Sequence, residues 1–285
     1  MQHGKELDNM KNKIGIIGKG FVGNAIFQGL NHYFELKVYD IDPKRGAHSF
    51  EEAISSDVVF LCVPTPMRKD TGECDLSYIE SVFEKAEQAS ASCVFVIKST
   101  VPVGTTKRLN EKYKKIKTIH SPEFLTARTA ATDFICPSRH IIGGDKENGT
   151  DTLKKIYEER FPGVPCHTMT SDESEFVKYF ANCFFATKVS FFNEMSVFAQ
   201  ASGLDWDKVI QGVMSDGRIG ISHYQVPGFD GSLGFGGTCF PKDINALIKS
   251  FEKIEIDPIM LKAAWKRNLS VRDNKDWEQS KSAVS

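Results

Sequence analysis

Short, nearly unbroken apolar runs separated by amphipathic stretches fill the first 170 residues. The runs are Ile14-Gly15-Ile16-Ile17, Leu36-Lys37-Val38-Tyr39-Asp40, Val58 to Val63, Val94 to Ile97, a weaker Ile116 to Ile119, and His140 to Gly143. A strand with one wet face alternates apolar and polar residues, so continuous runs predict strands buried on both faces of a parallel sheet. Between them, segments such as Ser77 to Ser90 and Thr105 to Tyr113 carry helical spacing. Strand and helix in alternation predict a doubly wound, Rossmann-type α/β domain over residues 1–170.

The pattern then changes. From Ser171-Asp172, with Glu173 and Glu175 where the helix dipole favours anions, the chain runs without Gly or Pro to Ser202 and meets Gly203. A helix of about 30 residues extends about 45 Å at ~1.5 Å per residue. Its apolar residues include Phe176, Tyr179, Phe180, Phe184, Phe185, Phe191, Phe192, Met195 and Phe198, too many for one face against one domain. That excess predicts burial on several sides and a homodimer formed through this helix. Amphipathic segments from Ile244 to Phe251 and Pro258 to Leu269 complete a helical domain over 171–270, and residues 271–285 read as a tail with a loose end at Ser280 to Ser285.

Composition narrows the function classes. With 285 residues, a 41% hydrophobic fraction and a net charge of -1, the chain has room for two domains and no basic field to recruit nucleic acid. The cysteines at 62, 74, 93, 136, 166, 183 and 239 form no CxxC pair and no zinc-ligand spacing, which predicts no metal and free thiols in a reducing compartment. The start Met1-Gln2-His3-Gly4-Lys5-Glu6 lacks an apolar signal core, and no run approaches the roughly 18 apolar residues of a membrane span. The expectation is a cytoplasmic protein without membrane contact.

Candidate chemistry lies in the turns. Gly18-Lys19-Gly20-Phe21-Val22-Gly23 follows the first strand and opens a helix, the context in which a GxGxxG turn receives a dinucleotide pyrophosphate. Asp40, ending the second strand, is placed to accept both ribose hydroxyls and favours NAD over NADP, although Lys44 and Arg45 nearby could hold a 2′-phosphate. In such sheets the ligand crosses the carboxyl ends of the strands. There the chain places Val63-Pro64-Thr65-Pro66, Lys98-Ser99-Thr100, and Glu123-Phe124-Leu125, residues that either punctuate loops or touch ligand. In the second half, Gly234-Phe235-Gly236-Gly237-Thr238-Cys239-Phe240-Pro241-Lys242-Asp243 sets a single cysteine in a glycine-rich turn with a cation and a carboxylate just beyond. Cys239 is either a small buried hydrophobe or a thiol activated by its neighbours. Lys178 and Asn182, four apart on the long helix, either snorkel and bond backbone or aim a cation and an amide at developing negative charge. Arg218 is either a solvated loop charge or a clamp for an anion.

Taken together, GKGFVG, YDID, VPTP, KSTVPVGT, SPEFL, KYFANCFFATKVSFFNE, GRIG and GFGGTCFPKD resemble the motifs of the UDP-glucose 6-dehydrogenase family, in the family's order, from Gly18 to about Asn268. The resemblance implies two successive NAD-dependent oxidations of a nucleotide sugar C6 alcohol, through an aldehyde and a thioester, to a uronate. It assigns Cys239 as nucleophile, Lys178 and Asn182 as oxyanion and alkoxide partners, Asp243 as a base or water-orienting residue, and Thr100 and Glu123 as the acid/base pair working through a water. It places NAD against Gly18, Gly20, Phe21, Val22, Gly23, Asp40, Arg45, Val63, Thr65, Pro66, Ser99, Thr100 and Lys242. It places the sugar nucleotide against Phe124, Leu125, Lys178, Asn182, Phe235 and Gly236, with Arg218 reaching substrate in its own or the neighbouring subunit. Two features depart from the family pattern: Ala127 stands where a second glutamate is usual, and the usual further α/β domain after the helical domain is not in this chain. A catalytically weak dinucleotide-binding or assembly protein is the alternative that those departures favour.

Overall fold

The computed structural model describes residues 12–285, so the polar start Met1 to Glu6 lies outside the described residues. The chain forms two compact units, residues 12–65 with 76–178, and residues 66–75 with 179–285.

In the first unit the order is β1 (Lys13–Ile17), α1 (Phe21–Leu30), β2 (Glu35–Tyr39), α2 (Phe50–Ile54), β3 (Val58–Leu61), α3 (Ser77–Gln88), β4 (Val94–Ile97), α4 (Thr105–Lys112), β5 (Lys117–His120), α5 (Ala130–Ile135), β6 (His140–Gly143), α6 (Thr150–Arg160) and β7 (Cys166–Met169). The strands make one sheet in the order β2-β1-β3-β4-β5-β6-β7. Successive side chains of a strand face opposite ways, and the core divides accordingly. Val58, Phe60, Val94 and Val96 pack with α1, α5 and α6. Val59, Leu61, Phe95 and Ile97 pack with α2, α3 and α4. Both faces are therefore covered, which is why these strands read as continuous apolar runs. One expectation is corrected: β6 meets β5 antiparallel, with His120 opposite Gly143, and β7 then joins β6 in parallel, so the sheet is not wholly parallel. An apolar run reports burial and carries no direction. β7 had no such run to announce it, being a four-residue strand with its middle residues exposed.

The long helix α7 spans Ser171–Ala201, 31 residues. Its first turns belong to the first unit and the remainder to the second. In the second unit α8 (Trp206–Met214), α9 (Phe240–Lys253) and α10 (Ile259–Val271) follow. Tyr179, Cys183 and Ala186 of α7 pack with Phe235, with Ile244, Leu247 and Ile248 of α9, and with Ala264 of α10. The C-terminal residues correct the expectation of a loose end. Met67 N–H donates to Ala283 O at 2.7 Å, Ser285 N–H donates to Met67 O at 2.9 Å, and Trp277, Ala283 and Val284 are buried with Met67 and Trp265 against them.

Candidate active site

Three loops at the carboxyl ends of strands, together with the first turn after β1, build the site of the first unit. Gly18 has φ +90°, a value that favours glycine. A Cβ on Gly23 would stand 2.0 Å from the Gly18 carbonyl oxygen, so helix α1 can start this close to β1 only with glycine there. Nothing lies within 4 Å of a Cβ position on Gly20, which leaves open space beside the start of the helix. Asp40 accepts the Lys19 amide at 2.6 Å and the Asp42 amide at 2.9 Å, so its carboxylate is fixed beside the turn. Phe21 is exposed and Val22 half-buried, while Arg45 is exposed and pairs with Asp42. The loops after β3 and β4 are stitched together: Thr65 Oγ1 donates to Thr100 O at 2.8 Å and Ser99 Oγ donates to Val63 O at 2.6 Å. A dinucleotide fits this arrangement, with glycine where a side chain would block it and a fixed carboxylate at the end of β2.

After β5, Glu123 is buried and receives the Lys178 ammonium on Oε1 at 3.1 Å and the Leu125 amide on Oε2. Lys178 also donates to the Glu123 carbonyl at 2.6 Å and stands 5.4 Å from the centre of the Phe124 ring. The expected general acid/base and the expected oxyanion cation are thus one buried ion pair. The Glu123 to Leu125 loop lines a cavity of about 230 Å³ that also includes Lys98, Arg139, His140 and Tyr157. Burial pulls His120 down to about 3 and His140 down to about 4, Lys98 adding to both, so both are neutral imidazoles at pH 7.

In the second unit Asn182 donates from Nδ2 to Asp243 Oδ2 at 2.6 Å, and Lys242 pairs with Asp243 Oδ1. Asp243 is 1% exposed. Burial opposes the charge on Lys242, but Asp243, with Cys239 and Cys74, raises its pKa overall, so a fixed cation stands near the thiol. Cys239 is half-buried and is the N-cap of α9, with Pro241, Lys242 and Asp243 in the first turn. A helix start and an ammonium both favour a thiolate. Other thiols are held protonated: burial pushes Cys62 and Cys93 up to about 12 and Cys183 well above its ordinary value.

The placement differs for the remaining candidates. Phe235 is buried in the core of the second unit, Gly236 lies in the turn, and Pro66 falls in the second unit rather than with Thr65. Arg218 is 91% exposed and engaged by Asp216. Sequence reasoning missed the residues that hold the cysteine turn. Asn193 accepts the Gly234 amide at 2.9 Å, Asn268 accepts the Phe235 amide at 2.6 Å and donates to the Phe235 carbonyl at 3.0 Å, and Asp276 accepts the Gly237 amide at 3.0 Å. It also missed Glu175 as a long-range cap. Its carboxylate takes the Gly104 and Thr106 amides, each at 2.7 Å, and the Thr106 hydroxyl at 2.6 Å, at the start of α4.

Comparison with known proteins agrees with this geometry. Residues 46–161 match the UDP-glucose/GDP-mannose dehydrogenase family, NAD binding domain, and residues 172–270 match the same family's central domain. The chain is 39% identical over 233 residues to a UDP-glucose 6-dehydrogenase of Pseudomonas aeruginosa, covering 76% of this chain and 49% of that protein. To the UDP-glucose 6-dehydrogenase of Campylobacter jejuni it is 32% identical over 276 residues, covering 85% of this chain and 68% of the relative. Among solved structures, a UDP-glucose dehydrogenase from the hyperthermophilic archaeon Pyrobaculum islandicum superposes with a TM-score of 0.81 at 28% identity, covering 93% of this chain and 69% of that one. The chain therefore spans between about half and two thirds of the length of these relatives.

Proposed function

Because the chain belongs to the UDP-glucose/GDP-mannose dehydrogenase family, we propose that it oxidises the C6 alcohol of a nucleotide sugar, UDP-glucose first among them, to the uronate, with Cys239 as the nucleophile. The observation that carries this reading is the cluster at the start of α9. The half-buried Cys239 stands at the N-cap position of the helix, and a buried carboxylate, Asp243, is bonded at once to Asn182 and to Lys242 in the first turn.

The cofactor is NAD, held at Gly18, Gly20, Gly23 and Asp40 and at the loops carrying Val63, Thr65, Ser99 and Thr100. When bound, it takes up the hydride from the substrate carbon. Glu123, with Thr100 and a water, accepts the C6 hydroxyl proton, and the Lys178 ammonium steadies the alkoxide that results. The Cys239 sulfur then adds to the aldehyde carbon, and Asn182 donates to the oxygen of the thiohemiacetal. Loss of a second hydride leaves a thioester. Asp243 orients the water that cleaves it, releasing the carboxylate and returning the thiol. Each sugar thus consumes two NAD and one water.

The partner across the long helix is a second copy of this chain. Phe184, Phe191 and Phe198 recur every seven residues, with Phe180 and Met195 beside them, and all five are exposed. A stripe of that kind on a helix is a packing seam for a second helix. No helix among the described residues is long and apolar enough to cross a membrane, and we place the protein in the cytoplasm. In sedimentation runs the wild type is expected as a dimer and Phe184→Ser/Phe191→Ser as a monomer; a monomeric wild type overturns the assignment.

The test of the reaction is NADH formed per UDP-glucose consumed with excess NAD. Two per sugar, with no uronate from Cys239→Ala, is the expected result. No NADH with UDP-glucose, GDP-mannose or UDP-N-acetylhexosamines moves the assignment to a partner-dependent or non-catalytic binding protein. Ala127, exposed where the family pattern has a glutamate, is the observation that favours that reading.

A further inference from the structure

The turn that presents Cys239 is glycine-rich, with positive φ at Gly234 (+68°) and Gly237 (+73°). Such a turn has little stiffness of its own, because glycine gives up the most conformational freedom on being ordered. What fixes it is a set of ties from elsewhere in the second unit. Two of these, Asn193 on Gly234 and Asn268 on Phe235, are buried side chains carried by helices α7 and α10. The third comes from the segment that follows α10.

Arg272 is the residue just after α10, and its side chain is buried. Its Nη2 donates to Asp230 at 2.8 Å and to Asp276 at 3.1 Å, its Nη1 to Leu233 O at 3.3 Å, and its Nε to Asn274 O at 2.7 Å. Asp276 uses its other oxygen to accept the Gly237 amide at 3.0 Å. The guanidinium packs so close to the turn that a Cβ on Gly236 would lie 2.1 Å from Nη2 and 2.3 Å from Asp276 Oδ1. One arginine therefore joins the approach to the turn, at Asp230 and Leu233, to its exit, at Gly237, two residues before Cys239.

We infer that Asp276, held by Arg272, is a positioning residue for Cys239: the segment after α10 fixes the exit of the glycine turn and so sets where the thiol at the start of α9 stands. The inference rests on Cys239 being the nucleophile of the proposed reaction, but its effect on the thiol is measurable without turnover. Asp276 differs from Asn268 in being part-exposed at 39% for its side chain, so removing it loosens the turn without opening the core.

The experiment compares Asp276→Ala, Asp276→Asn and, as a control on the same 3-10 turn, Asp276–Gln279, the exposed Glu278→Ala. Cys239 alkylation by iodoacetamide, read by peptide mass, is followed beside kcat and KM. In Asp276→Ala, alkylation of Cys239 at pH 7 is expected to rise at least threefold as the turn is released. Its kcat is expected to fall about tenfold or more, as misplacement of a reacting group does, with the KM for NAD unchanged. Asp276→Asn keeps an acceptor for the Gly237 amide and is expected to recover most of both, and Glu278→Ala to match the wild type. If Asp276→Ala fails to fold by near-UV circular dichroism, Arg272→Lys, which keeps the charge and loses the forked geometry, is held to the same criteria. Alkylation and kcat within twofold of wild type in the folded variant overturn the inference, as does an Asn variant as impaired as the Ala variant. A wild type that yields no NADH from any nucleotide sugar defeats the reaction, and the alkylation rates still decide the positioning role.

Discussion

In the turn Gly18 to Gly23 the glycines are demanded by backbone. A Cβ on Gly23 would meet the Gly18 carbonyl oxygen at 2.0 Å, and one on Gly18 would meet the Cys62 carbonyl oxygen at 2.8 Å. In the turn Gly234 to Gly237 they are demanded by side chains: Asn268 Oδ1 stands 2.3 Å from a Cβ position on Gly234, and Arg272 Nη2 stands 2.1 Å from one on Gly236. The first turn is thus set by backbone, at Gly23 by the strand and helix it joins and at Gly18 by the end of the neighbouring strand β3 at Cys62. The second is imposed on its glycines by groups more than thirty positions away. Each also leaves one glycine in open space, Gly20 in the first and Gly237 in the second, and these are the places where a ligand atom can come near the backbone.

The largest test of the difference is Gly23→Ala. Backbone cannot step aside as a side chain can, so the substitution separates α1 from β1 at a cost of about 3 kcal/mol or more, the upper range for overpacking. Urea denaturation should show it, together with loss of NAD binding by titration. A variant that still binds NAD with unchanged stability would mean that the first turn is as adaptable as the second.

Glu175 is the exception within the first unit, a side chain that caps α4 from about seventy residues away. Burial raises its carboxyl from the ordinary 4.5 to about 7, against the pull of the Thr106 and Gly104 donors. A raised pKa in the folded state means that this group's stabilising contribution is full below pH 4.5 and is lost as pH rises through about 7. Glu175→Gln cannot titrate. The wild type should therefore lose about 3 kcal/mol relative to that variant between pH 4.5 and 7.5, the order set by the size of the shift. Urea unfolding at a series of pH values reads the difference in slope. Parallel curves would place the titration elsewhere.

Asn268→Ala comes next. It leaves the Phe235 amide and carbonyl without their buried partner, worth about 2 kcal/mol. The loss should appear in the melting of the second unit, with NAD binding, proposed at Gly18 to Gly23, untouched. If NAD affinity falls in parallel, the two turns are not independently held.

The same contrast explains what the sequence made legible. The turn after β1 could be read because strand, glycines, helix and Asp40 lie within about twenty-five residues, and each constrains the next through backbone. Cys239, Lys242 and Asp243 could be found for a similar reason, since they share a helix start. Asn268, Arg272 and Asp276 could not, because an asparagine or arginine near a helix end has many ordinary uses and only the fold brings these to the turn. The end of the chain was misread in the same way. Its serines look like a tail, yet Ala283 and Val284 pair with Met67, more than two hundred positions earlier. The reversed β6 hid for a different reason, since burial on both faces leaves strand direction unmarked.

The smallest effects come from the two open glycines, and they separate conformation from space. Gly20 has φ -72°, a value any residue adopts, and no neighbour within reach, so Gly20→Ala should leave stability within about 0.5 kcal/mol of wild type. Gly237 has equal room but φ +73°, so Gly237→Ala should cost about 1 kcal/mol from the left-handed backbone alone. Their ligand effects should divide the other way round the molecule. The methyl at position 20 sits where a pyrophosphate would approach the start of α1, and NAD affinity should fall; at position 237 NAD affinity should hold, and any effect should appear as a lower kcat and a faster Cys239 alkylation. Isothermal titration with NAD on both variants distinguishes the two sites, and equal NAD losses would show that the open space at Gly20 is not where the cofactor comes close.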